Sequence, residues 1–167
     1  ILRDLGVKFG RYHIFLHRLI KPEAVSLRTM LWKNYHQKYF DLKPPTFGLN
    51  FLDDNSRKNK YFMLLCGFEQ FDNLFIRIDI LERLFMKIIN SDIKSKKEIK
   101  MTPEMLNLLG CTKDNFKKLL RKMSYKITEK ENEVFFKYSP SKISKKIFNK
   151  KISKENPFGI LKQLNLN

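Results

Sequence analysis

Between Met101 and Tyr138 the chain carries two short helix signals joined by Gly110-Cys111-Thr112 and followed by two strand-like runs, an order that constrains the fold more than any other feature. Thr102 is placed to cap the first helix, with Pro103 at its first position, Glu104 near its positive end, and Met105, Leu106, Leu108 and Leu109 facing inward. Gly110 supplies a left-handed stop, and Thr112 caps again. Phe116, Leu119, Leu120 and Met123 stand at i, i+3, i+4 and i+7, so Lys113 to Met123 predicts a helix with one clean apolar stripe. Tyr125 to Thr128 and Glu133 to Tyr138 predict two strands around the polar turn Glu129 to Asn132. Helix, turn, helix and wing together outline a unit that docks on nucleic acid.

The stripe leaves cations on the remaining faces of the second helix. Lys113, Lys117, Lys118, Arg121 and Lys122, widened by Lys126 and Lys130, form the candidate nucleic-acid-binding set. Lysine dominance favours contact with the phosphate backbone, since bidentate Arg or Asn contacts are what read bases. The competing reading is an amphipathic helix with a solvated exterior.

Charge follows the same division. Of the net +17, Ile1 to Ile93 holds 15 basic and 10 acidic residues, whereas Lys94 to Asn167 holds 19 basic and 7 acidic. A region this basic usually meets a polyanion, because each cation set on a phosphate releases a condensed counterion. Lys, Ile, Asn and Phe are abundant and Ala occurs once, at Ala24, as an AT-rich coding sequence would produce. Such bias supplies lysine but gives no reason to exclude acids.

Other classes are disfavoured. The longest apolar stretch, Tyr61 to Phe68, is too short to span a bilayer and is bracketed by Lys60 and Glu69, so a soluble chain without a membrane partner is expected. Cys66 and Cys111 lack CxxC spacing, which suggests neither a disulfide framework nor a zinc site and fits a reducing cytoplasm. At 167 residues with 43% hydrophobic content, the chain can bury one core, or one core plus an appendage. It opens on ILRDLGVKFG, without Met, which reads as the interior of an element and leads us to expect a piece of a longer polypeptide.

The expected fold class is mainly α with small β, in three parts: a helical N-terminal subdomain with its connecting loop over 1–60, a winged-helix-like subdomain over 61–138, and a Lys-rich tail over 139–167. Val7 to Leu19 mixes β-branched and aromatic residues and reads as a strand followed by a short helix. Lys21-Pro22-Glu23 starts a helix whose apolar spacing, Val25, Leu27, Met30, Leu31, Tyr35 and Tyr39, runs to Phe40 before Pro44-Pro45 stops it. Thr46 to Lys60 reads as a loop, Tyr61 to Cys66 as one or two helical turns, and Phe68 to Ile78 as a hairpin turning at Gln70 to Asn73. Asp79 opens a helix with Ile80, Leu81, Leu84, Phe85, Ile88 and Ile89 on one face. Ser91 to Lys100 reads as a polar connection. Beyond Ser139 a tail is expected, on which Ile143, Ile147 and Ile152 allow a short helix to dock.

Several segments carry a family resemblance: LRDLGVKFGRYHIFLHRLIKPEAVSLRTMLW from Leu2 to Trp32, RIDILERL from Arg77 to Leu84, MTPEMLNLLGC from Met101 to Cys111, and DNFKKLLRKMSYK from Asp114 to Lys126. They resemble the region after the motor in bacterial helicase-related proteins, relatives of the DExH-box (Superfamily 2) RNA helicases of the mitochondrial degradosome. The resemblance implies a parent that hydrolyses ATP with Mg to unwind RNA, its motor domains lying before this segment. No GxxxxGK[ST] and no DExH run is present, and Gly6 and Gly10 lack the following Lys and hydroxyl residue that a triphosphate loop needs. No catalytic, metal or cofactor residue carries over, so the expected act is accessory: binding RNA, or DNA, or positioning it for the motor domains of the same polypeptide.

The remaining candidates weigh less. His13 and His17 share the i, i+4 spacing of a metal pair, but Ile14 stands where HExxH needs Glu, and packing or ordinary hydrogen bonding is the better reading. Asp53-Asp54 lies among turn residues, and Asp79 with Glu82 matches a helix start, with Arg77 or Arg83 as partners for Glu82. Of the 15 Phe and 6 Tyr most belong to core, with Tyr12, Tyr35, Tyr39 and Phe136 as stacking candidates where exposed beside cations. Two rival functions remain: a scaffold that packs on the motor or on a nuclease, and a free-standing winged-helix DNA-binding protein.

Overall fold

Strand pairing between residues far apart in sequence joins what the local patterns separate. The structure is a computed structural model that describes residues 1–55, 59–95, 98–130 and 133–140. It is a mixed α+β fold with five α-helices and three small antiparallel sheets among the described residues.

The chain begins with a hairpin of β1 (Val7–Phe9) and β2 (Ile14–Leu16), followed by one 3-10 turn over His17–Ile20. The expected single strand is thus a pair. Helix α1 (Pro22–His36) starts with Pro22 at its first turn, as its sequence requires. It stops before Phe40 because Gln37 turns left-handed, at φ 51°, and Tyr39 folds back to stack on Trp32 at 5.2 Å.

Thr46 to Lys60 is not wholly a loop. It contains β3 (Phe51–Asp53), which pairs with β5 (Leu74–Arg77), Phe51 opposite Ile76. A three-residue strand has no periodicity to detect, and only its partner defines it. The division at residue 60 therefore cuts through a sheet. Helix α2 (Lys60–Leu65) is capped by the Asn59 side chain, which accepts from the Phe62 N–H at 2.9 Å. The hairpin of β4 (Phe68–Phe71) and β5 turns at Asp72, whose φ of 63° suits an Asp.

Strand β5 is central in the order β3-β5-β4 and is buried on both faces. Leu74 and Ile76 point into the larger core, and Phe75 into a smaller one built from Val25, Phe62, Met63, Cys66 and Phe68. The period of two thus makes one strand a wall between two cores.

The larger core belongs to the rest of the chain: α3 (Ile78–Ser95), β6 (Ile99–Lys100), α4 (Pro103–Leu109), α5 (Lys113–Lys122), β7 (Tyr125–Lys130) and β8 (Glu133–Tyr138). Ser91 to Lys100 is more than a connection, since α3 extends to Ser95 and Ile99 pairs with Phe136 of β8. The sheet order is β6-β8-β7. Gly110 ends α4 at φ 69°, its N–H donating to the Leu106 carbonyl at 2.8 Å. The Thr112 hydroxyl accepts from the Asn115 N–H at 3.3 Å, capping α5. Thr102 does not cap α4 in this way. Its hydroxyl bonds the Glu104 carboxylate instead and holds that carboxyl below its usual range.

Phe116, Leu119 and Leu120 of α5 are fully buried against Phe136, Met105, Leu109, Leu81 and Leu84. Each such side chain stabilises the fold by roughly 1.5–3 kcal/mol. No helix among the described residues is long and apolar enough to cross a membrane. The expected tail, with Ile143, Ile147 and Ile152, lies outside the described residues beyond Pro140, as do residues 131–132 of the turn between β7 and β8.

Candidate nucleic-acid interface

Burying Phe116, Leu119 and Leu120 turns the other faces of α5 outward, and its cations then divide by what they meet. Lys113, Lys118, Arg121, Lys122 and Lys126 are exposed. Lys117 is not: its side chain is 15% exposed, and its ammonium lies 2.7 Å from the Glu129 carboxylate of β7. That contact holds the Glu129 carboxyl below its usual range and makes Lys117 a strut between α5 and β7. Lys122 reaches the Asp72 carboxylate at 2.8 Å, tying the end of α5 to the β4–β5 turn. Of the six candidates, Lys113, Lys118, Arg121 and Lys126 keep no ion-pair partner among the described residues, while Lys117 and Lys122 are engaged within the fold.

The β7–β8 hairpin divides likewise. Near its tip Lys130 meets Glu98 at 2.9 Å, and Lys100 of β6 pairs with Glu133. The Lys130 contact lowers the Glu98 carboxyl below its usual value. Toward the base, Lys126 stands directly opposite Lys137 across the β7–β8 ladder. Two like charges at such a position repel. The register of β8 puts Lys137 beside the candidate set, although sequence reasoning omitted it. Alternation in Val134, Phe136 and Tyr138 against Phe135 and Lys137 is the signal that finds it.

A second polar cluster positions the N-terminal hairpin against α3. Glu82 does not pair with Arg77 or Arg83. Its buried carboxylate accepts the backbone N–H groups of Arg11, Tyr12 and His13, the latter two at 3.0 and 2.9 Å, and faces His13 Nδ1 at 3.1 Å. Arg77 instead binds Asp79, its Nε and Nη2 donating at 2.6 and 3.0 Å. His13 Nε2 meets Glu69 at 2.9 Å, so the ring spans two carboxylates. A Cβ on Gly10 would overlap the Glu82 carboxyl, which explains glycine at this position. His17 lies exposed in the 3-10 turn, away from this arrangement. No group of three His, Cys, Asp or Glu able to hold a metal occurs among the described residues.

Asp53 accepts from the Asn73 side chain beside the β4–β5 turn, a structural bond. Neither Cys66, which is buried, nor the half-buried Cys111 is in a disulfide, and burial pushes the Cys111 thiol up to about 11.

Among the aromatic candidates, Phe136 is fully buried and cannot stack on a base. It fills the core because β8 turns it inward beside Phe116. Tyr39 is stacked on Trp32, and Tyr35 projects from α1. Tyr12 is the one of the four that combines exposure with a guanidinium, Arg11 lying 5.9 Å from its ring. Tyr138, exposed at the end of β8, is a further open ring that the sequence did not single out. Comparison of the chain with protein-family models, with curated proteins and with solved structures yields no match.

Proposed function

We propose that this chain is an accessory region of an ATP-dependent RNA helicase, in which a winged-helix unit running from α3 to β8 binds RNA non-specifically through phosphate contacts. One observation carries the binding reading. Among the described residues Lys100, Lys117, Lys122 and Lys130 are paired with Glu133, Glu129, Asp72 and Glu98, whereas Lys113, Lys118 and Arg121 of α5 and Lys126 and Lys137 of the wing form no ion pair.

The order helix, strand, helix, helix, strand, strand, with β8 between β6 and β7, is what a winged helix requires. On this reading α5 is the helix presented to the ligand. An anion bound across Lys126 and Lys137 would relieve their mutual repulsion. Scarce Arg and Asn on α5 favours backbone gripping over base reading. The helicase part of the proposal rests on the resemblance of Leu2 to Trp32 and the three shorter segments. On that reading ATP and Mg are handled by motor domains of the same cytoplasmic polypeptide, and this region performs no chemistry.

Binding of fluorescent RNA at several salt concentrations tests it. With roughly four to six phosphates engaged, log affinity for a single strand falls against log salt with a slope of about −3 to −4. Replacing Lys118 and Arg121 by Gln removes about 0.7 from that slope per lost contact. Undetectable binding at low salt refutes the reading.

A scaffold is the second reading, and α1 favours it. Leu27, Met30, Leu31 and Tyr35 are all more than half exposed there, an apolar stripe suited to a protein surface. It predicts that Leu27→Ser with Leu31→Ser abolishes association with the motor and spares RNA affinity.

A further inference from the structure

Two adjoining clefts, of about 410 and 430 Å³, lie on either side of Tyr12 and share Tyr12, Phe85 and Tyr138 as walls. One extends to Arg11 and Lys137, the other to Lys122 at the end of α5. Each falls in the range of roughly 300–1,000 Å³ that small ligands occupy. The Glu82 carboxylate fixes this geometry by holding the Tyr12 N–H. The Tyr12 ring leans on Phe85 with centroids 4.5 Å apart and is still 59% exposed. Tyr138 is braced by Tyr125 at 5.3 Å and is 50% exposed. Both rings are therefore held in place by an aromatic neighbour while half open to solvent, an arrangement that burial does not explain.

Cations border the rings. The Arg11 guanidinium sits 5.9 Å from Tyr12, and Lys137 lines the same cleft. Among the described residues Glu69 is the one acid lining either cleft, and it is occupied by His13 at 2.9 Å and Lys60 at 3.7 Å. Rigid aromatic faces beside cations match an unpaired nucleobase with its flanking phosphates. A duplex, whose bases are already stacked on one another, offers no such face. We propose that the clefts beside Tyr12 seat unpaired nucleobases of a single strand, with Tyr12 and Tyr138 as stacking surfaces and Arg11 and Lys137 on the adjacent phosphates. This rests on the phosphate-gripping reading of α5 and the wing, and extends it through Lys137, which belongs to both surfaces.

The test compares a short fluorescent oligouridylate, the corresponding DNA strand, an abasic strand of equal length, and an RNA duplex. Tyr12→Ala and Tyr138→Ala each weaken single-strand binding roughly 5- to 150-fold, the effect of one lost base stack, and leave duplex affinity and salt slope unchanged. Tyr12→Phe retains the affinity, because a phenyl ring still stacks. Losses on both RNA and DNA assign the clefts to either strand, and a loss on RNA alone assigns them to RNA. Wild-type affinity for single strands in both Ala variants, with Lys118→Gln and Arg121→Gln still weakening binding, overturns the clefts and keeps the phosphate reading. An abasic strand bound as tightly by the unmodified chain overturns them without recourse to any variant. Failure to bind any strand at low salt removes both readings together.

Discussion

Along α5 the apolar residues Phe116, Leu119 and Leu120 are all buried, whereas α1 buries Val25 and Thr29 and leaves Leu27, Met30 and Leu31 more than half exposed. The contrast lies in what each helix has to pack on. Helix α5 sits among α3, α4 and the β6-β8-β7 sheet, while α1 meets α2 and the 3-10 turn and is open on its other side among the described residues. Even Thr29 stays inside by turning its hydroxyl back to the Val25 carbonyl at 2.9 Å, the usual way a buried hydroxyl is satisfied on a helix. The C-terminal unit is thus held mainly by apolar burial. The N-terminal hairpin is fastened to it chiefly by the hydrogen bonds of the Glu82 carboxylate, with the Tyr12 ring packed on Phe85, so the two regions differ in the kind of perturbation that breaks them.

The largest effect belongs to the core. Phe116→Ala is expected to cost about 3–5 kcal/mol in urea unfolding, from lost burial and the cavity left behind, whereas Leu31→Ala stays within about 0.5 kcal/mol. Equal losses at the two sites would erase the distinction between a covered and an open helix.

Next comes the latch. Glu82→Gln replaces a carboxylate that accepts three backbone N–H groups and faces His13, and its expected cost is about 2–3 kcal/mol. Native-state hydrogen exchange locates the damage: the amides of Arg11, Tyr12 and His13 lose protection while those of α5 keep theirs. Gly10→Ala has the same signature, since its Cβ would displace the carboxyl. Uniform loss of protection across the chain would instead make the hairpin part of one cooperative unit with α5.

Acid gives the smallest effect. Because the Lys117 ammonium lowers the Glu129 carboxyl from its usual 4.5, the folded form binds that proton less readily than the unfolded chain. The stabilisation is therefore present above about 4.5 and is lost as pH falls through the lower folded-state value. Urea midpoints measured on either side of that window show a decline that Lys117→Met reduces. An undiminished decline in the variant would mean that the strut between α5 and β7 contributes nothing.

The legible parts of the chain are those whose order is written locally. Gly110, Thr112 and the stripe from Phe116 to Met123 bound α5 because caps and helical periodicity act over three or four residues. The hairpin at Phe68 to Ile78 and the long helix after it announce themselves in the same way. Strands β3 and β6 left no such mark, being three and two residues long and defined by β5 and β8. The candidate interface was legible as a set of cations and not as an arrangement. Lys117 and Lys122 look like Lys118 in sequence, and only the positions of Glu129 and Asp72 set them apart.

Sequence alone determined that this chain builds a helix pair ahead of two strands, the second helix basic and capped by Thr112, since composition and period settle which faces are apolar and which are charged. Tertiary structure decided which cations remain available, that Glu82 holds the hairpin rather than an arginine, and that Tyr12 stands open beside Arg11 while Phe136 lies inside. The physical reason is range: caps and stripes arise from neighbours on one helix, whereas ion pairing and ring exposure depend on which distant segment arrives opposite.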